Sequence, residues 1–172
     1  MKTLKGLSLA FIACALLFFG GCSGASEGEG FAIYFTRDDV RPDKMTAFRE
    51  VALAGEPVIS MADIVSYDAK THEIELTSEA YGRVSALKVP TFGKSFVVCV
   101  DRKPVYWGAF WAGYSSQSFD GVTIIGWPFF SEKDDTIAIT VGYPAPGFYN
   151  GQDPRGNPVI MDALRAAGKL KE

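Results

Sequence analysis

Polar and apolar residues alternate most cleanly in His72-Glu73-Ile74-Glu75-Leu76-Thr77, where His72, Ile74 and Leu76 share one side of an extended chain and Glu73, Glu75 and Thr77 the other. This pattern predicts a strand buried on one face. Residues 31–36 (FAIYFT) are short, aromatic and bounded by charge, which predicts another strand. Residues 95–100 (SFVVCV) are apolar on both faces, so they are expected mid-sheet under cover from two sides. After the polar turn Asp101-Arg102-Lys103-Pro104, residues 105–111 (VYWGAFW) resume as a strand with side chains to both faces. Residues 122–126 and 136–141 complete the strand set.

Helical spacing appears in Ala80, Tyr81, Val84 and Leu87, with Thr77 or Ser78 as cap and Pro90 forbidding continuation. Ser60-Met61-Ala62-Asp63 has the hydroxyl-to-acid spacing of a helix start and predicts a short helical turn through Val65. Residues 37–44 read as a polar loop, and residues 142–158 as a loop dense in Gly, Pro and Asn. Residues 159–170 repeat apolar positions at helical spacing, with Lys169 and Lys171 at the C-terminal end where the helix dipole favours cations. Residues 45–53 fit a helix with Met45, Phe48 and Val51 on one face equally well as an extended run. Strands outnumber helices and tight turns join them, so the expected class is α+β with a mixed, mostly antiparallel sheet.

The N-terminus has a different character. Lys2 and Lys5 precede an apolar run from Leu7 to Phe19, which is shorter than the roughly 20 residues a membrane-spanning helix needs. A cleaved signal segment fits better. Phe19-Gly20-Gly21-Cys22, with small residues before a cysteine, resembles the lipobox of secreted lipoproteins. That resemblance implies lipidation at Cys22 and a membrane anchor on the extracytoplasmic side, in the cell envelope. The expected organisation is residues 1–22 as lipoprotein signal peptide and lipobox, 23–30 as flexible tether, and 31–172 as one α+β domain. After processing, Cys22 and Cys99 are the remaining cysteines, so no intramolecular disulfide is expected and the fold relies on its core. Cys99, within an apolar strand, reads as a small buried hydrophobe.

The formal net charge of -3, with Lys and Arg scattered, lacks the basic footprint of a nucleic-acid binder. Glycine-rich phosphate loops and paired-cysteine metal signatures are absent, so neither cofactor nor metal is implied. Asp38-Asp39 and Glu132, Asp134 and Asp135 form acidic groups without the ordered spacing of a calcium loop.

The run from Ile74 to about Gly126 resembles the periplasmic head of the export-translocase subunit SecD. The matching positions are Leu76-Thr77, Glu79-Ala80, Gly93-Lys94, Val98, Val100-Asp101, Val105 and Ile125-Gly126. Over about fifty residues this implies a ferredoxin-like split βαβ core and carries little functional content. The combination THEIELT, VYWGAFW and SSQSFDG is similar to a group of uncharacterised prokaryotic lipoproteins, and that similarity transfers no activity.

Candidate chemistry is sparse. His72 is the single histidine, and its apolar face marks it first as a structural residue. Gly113-Tyr114-Ser115-Ser116-Gln117 partly matches a nucleophile elbow but lacks the final glycine. Aromatic residues concentrate between Tyr106 and Phe130, including Trp127 and Phe129. The polar loop 115–120 lies among them. Trp107, Trp111, Tyr114, Ser116 and Gln117 are the candidate binding residues, for a sugar, a peptide or a partner surface. A non-catalytic binding or structural module, engaging an envelope protein or polymer, therefore ranks first. A hydrolase using Ser115 or Ser116 with His72 ranks second, and a small-solute receptor third.

Overall fold

A computed structural model describes residues 28–126 and 135–172. Cys22, Trp127, Phe129, Phe130, Glu132 and Asp134 lie outside them. In chain order the elements are β1 (Phe31–Phe35), β2 (Ile64–Asp68), β3 (Glu73–Leu76), α1 (Ser78–Ser85), β4 (Lys94–Val100), β5 (Lys103–Trp111), β6 (Phe119–Ile125), β7 (Thr136–Tyr143), α2 (Pro158–Ala166) and β8 (Leu170–Lys171). The strands build one open sheet ordered β1-β4-β5-β6-β7-β3-β2-β8. β5 pairs in parallel with β6, and β2 with β8, while the remaining neighbours are antiparallel. The class is α+β with a mixed, mostly antiparallel sheet, as the patterning predicts.

Local chemistry accounts for the elements. In β3, Ile74 and Leu76 are buried and Glu73 is exposed, matching the alternation. The Thr77 hydroxyl accepts the Ala80 amide at 3.3 Å and caps α1. Asp101 and Arg102 both have φ near +55° (50° and 61°), the left-handed pair that closes a two-residue hairpin with the twist of its strands. Ser60 and Asp63 form the expected reciprocal cap, with the Ser60 amide donating to the Asp63 carboxylate at 2.8 Å.

The sheet has two unlike faces. On the first, Phe31, Ile33, Phe96, Val98, Phe110, Ile124, Ile139 and Ile74 meet Ala80 and Val84 of α1 and Ile160 and Leu164 of α2 in the main core. Flat strands spaced about 4.8 Å apart would put β1 and β2 nearly 30 Å from each other. Instead, the rings of Phe31 and Tyr67 meet edge to face at 6.2 Å, so the sheet coils around this core. On the second face, residues 45–53 cover β1 and β4. Phe48, Val51 and Leu53 pack on Ala32, Tyr34, Val97 and Cys99. Next to them, Trp111, Ala109 and Tyr143 form a smaller cluster with Phe119 and Ile125. β4 is thus buried from both sides between β1 and β5.

Several expectations require correction. The turn at Met61–Asp63 stops there, and Ile64–Asp68 is a strand that alternation in a five-residue run did not disclose. Residues 45–53 are neither helix nor strand; their apolar side chains serve as a lid of turns with one bridge, Leu53 to Thr36. The C-terminal helix ends at Ala166 because Gly168 takes φ +68°, after which Leu170 and Lys171 add an edge strand to β2. β5 and β6 are joined by no tight turn: residues 112–118 cross back so that the two strands run parallel. α1 joins β3 to β4 with β5, β6 and β7 between them in the sheet. Traced through the pairings, β3 and β4 run in opposite senses. The strand-helix-strand order of the SecD resemblance is therefore kept without the parallel strands of a ferredoxin-like unit.

Candidate functional site

The crossover from β5 to β6 creates the most distinctive surface. Seven residues are fewer than a helical crossover needs, so the chain runs back over the second face through a turn and bends, with the Ser115 amide donating to the Ala112 carbonyl at 2.9 Å. Aromatic stacking holds it there. The Phe119 ring lies parallel to Trp111 at 4.8 Å and edge-on to Trp107 at 5.9 Å. Gly121 permits this, since a Cβ there would sit 2.4 Å from the Phe119 ring. The Trp111 indole donates to the Gln117 carbonyl at 3.2 Å, and the Tyr143 hydroxyl donates to the carbonyls of Gly113 and Ser115, each at 3.0 Å.

Against this crossover the loops before β4 and after β1 leave a cleft. Its inner part, about 280 Å³, is lined by Arg41, Asp43, Phe92, Trp111, Gln117 and Phe119 among others. It continues past the shared residues Arg41 and Phe92 into a space of about 360 Å³ reaching Asp39, Lys88 and Lys94. The Arg41 guanidinium stands 4.2 Å above the Phe92 ring and donates to Asp43 at 2.9 Å. Lys94 pairs with Asp39 and lies 4.7 Å above the Phe35 ring. Among the described residues, Lys88 has no carboxylate at ion-pair distance.

The candidate binding residues thus divide. Trp111 and Gln117 line the cleft. Trp111 is only 3% exposed, so it forms the floor and offers no ring face. Trp107 is half-buried against the cover of residues 48–53. Tyr114 is 61% exposed and Ser116 is exposed, both on the crossover outside the cleft lining. Arg41, Lys88, Phe92 and Lys94 are not legible as site residues along the chain, because no local motif links them. Arg41 lies in the irregular segment after β1, about fifty positions before Lys88 and Phe92 in the loop before β4 and Lys94 at its start, and only the adjacency of β1 to β4 brings them together.

Ser115 and His72 do not meet. The buried Ser115 hydroxyl donates to the Thr91 carbonyl at 2.6 Å and accepts the Gln117 amide at 3.1 Å, so it shapes the crossover. His72 belongs to the first face of the sheet, where its Nδ1 lies 3.0 Å from the Tyr67 hydroxyl. Burial and then the Arg155 guanidinium hold the imidazole below its ordinary pKa. Arg155 is gripped by both Asp153 oxygens, at 2.9 and 2.6 Å, and donates to the Ile139 carbonyl at 2.7 Å. The Ile139 amide in turn donates to the His72 carbonyl at 3.0 Å. This polar cluster ties the 153–155 loop to β7 and β3. Cys99 is fully buried, and desolvation pushes its thiol up to about 12.

Among the described residues, no group of three or more His, Cys, Asp or Glu is placed to hold a metal ion, and no helix is long and apolar enough to cross a membrane. No family model, curated protein or solved structure matches the chain.

Proposed function

We propose that this chain is a lipid-anchored lipoprotein of the cell envelope. It acts as a non-catalytic binding module, engaging a partner protein through the cleft between Arg41, Phe92, Trp111 and Gln117. The signal-like N-terminus and Cys22 support the anchor. The carrying observation for binding is the cleft itself. A parallel crossover too short for a helix is pinned over the sheet by two tryptophans and a phenylalanine, and two of the residues selected from the sequence fall in its lining. Such a rigid wall beside charged loops is the arrangement a specific interface uses, because little conformational entropy is lost when a partner docks. The alternative, hydrolysis by Ser115 or Ser116 with His72, finds no support in the placement of both serines on the crossover over the second face and of His72 on the first.

In-cell photo-crosslinking from Gln117 of the membrane-anchored protein tests this reading, with Lys103 at the far end of β5 as control. One dominant protein adduct from Gln117 and none from Lys103 is expected. Equal or absent labelling from both positions rejects the cleft as the binding surface.

A further inference from the structure

We infer that the cleft faces away from the anchoring membrane and receives an extended, acidic segment of a partner protein. This inference rests on the lipoprotein reading above and gives the cleft a direction and a ligand class.

The direction follows from strand order. The chain enters the fold beside the β4–β5 turn, where the Gly30 amide donates to Asp101 at 2.8 Å and Phe31 pairs with Val100. Gly28 lies against the same carboxylate: a Cβ there would sit 2.2 Å from it. The Tyr34 hydroxyl bonds to Glu29 and accepts from Arg102 at 3.1 Å, so the exit path is held on two sides. Between an anchor at Cys22 and Gly28 a chain of six residues can span at most about 20 Å. That keeps the 101–103 turn toward the lipid. β4 and β5 then run the length of the sheet to Lys94 and Trp111, on the order of 20 Å farther out. The cleft begins at that outer end.

The ligand class follows from what the lining offers. Arg41, Lys88 and Lys94 stand against Asp39 and Asp43, a local cationic excess on a chain of formal net charge -3. Of the three cations in this lining, Arg41 and Lys94 are paired, and exposed Lys88 has no ion-pair partner among the described residues. A glycan would need an open aromatic face to stack upon. In this cleft Phe119 covers Trp111, and the Arg41 guanidinium covers Phe92. The remaining surface is a trough of half-buried apolar side chains (Val40, Val89, Pro90) edged by cations. That suits an extended backbone carrying a carboxylate side chain, with charge complementarity setting its orientation.

The test uses the mature lipidated chain in nanodiscs, panned against a displayed library of random nine-residue peptides. Enriched peptides are expected to be rich in Asp and Glu. Their binding should fall at least tenfold in Lys88→Glu and stay unchanged in Lys103→Glu, which alters the membrane-proximal turn. Peptides without acidic enrichment, or acidic peptides indifferent to Lys88→Glu, overturn the inference. So does Lys88-dependent binding of soluble peptidoglycan fragments or of anionic vesicles in place of peptides. A dominant crosslink from Gln117 together with failure of the acidic selection removes the ligand class while leaving the binding reading intact.

Discussion

His72 shows how one side chain joins local conformation to stability. It holds φ +58°, a region that Gly, Asn, Asp and His occupy more readily than other residues, and its ring is buried beside Tyr67. Its folded pKa lies below the ordinary value near 6.5, so the folded state binds fewer protons than the unfolded state as the solution is acidified. The contribution of the neutral imidazole is therefore complete above about pH 6.5 and is lost as pH falls through the folded pKa. Melting temperature is expected to drop between pH 7 and 5, and His72→Asn, which tolerates the same backbone, is expected to flatten that slope. Parallel slopes in thermal melts would remove His72 from the account. Asp63, Asp68 and Asp153 have lowered pKa values and act in a separate, more acidic window, because their stabilising charge is lost only as pH falls through those depressed values. At Cys99, burial of the thiol predicts no maleimide labelling of the native protein at pH 8 and full labelling after denaturation.

At the scale of elements, the crossover depends on a missing side chain. Gly121→Ala would place a methyl group 2.4 Å from the Phe119 ring, displacing it from Trp111. Such overpacking costs about 1–3 kcal/mol. Tryptophan emission should shift as the stack opens, and unchanged emission with unchanged stability would show that the crossover is held by other contacts. At the end of α2, Gly168→Ala meets no steric neighbour, yet must adopt φ +68°. A loss of about 1 kcal/mol, or a few degrees in melting temperature, is expected from the backbone alone. Both glycines are visible in the sequence, but their reasons differ. The C-terminal one follows from a general rule about helix ends. The other follows from a ring that arrives from two residues away along the same strand.

For the whole molecule, protection should follow layer structure. β4 and the upper half of β5 are covered on both faces. β3 leaves Glu73 exposed on the second face, and β2 carries exposed Val65 beside the two-residue edge strand β8. Amide exchange is expected to be slowest in Phe96–Val98 and their partners Tyr106–Gly108, and fastest in β8 and the outer edge of β2. Uniform protection across the sheet would contradict this division. Truncating Phe110, which touches Phe35 and Phe96 at ring separations of 5.6 and 5.5 Å, should cost about 3–5 kcal/mol.

The division between what was legible and what was hidden has a physical basis. Alternation in residues 72–77, the double-sided apolar run of β4, the cap at Thr77 and a polar turn after Val100 are short-range properties, and the sequence by itself determined them, although the turn closes in two residues, Asp101 and Arg102, where the patterning placed four through Pro104. Pairing partners were decided only by the tertiary structure. Nothing in residues 112–118 distinguishes a hairpin from a crossover, because both satisfy the same local backbone. The choice is made by Phe119 finding Trp107 and Trp111. Strand β8 exists because β2 offers it an edge, and residues 45–53 are irregular because their apolar side chains fill the space above Tyr34 and Val97. The cleft belongs to the same class of facts: Arg41 and Phe92 are meaningless to one another along the chain and become neighbours when β1 pairs with β4.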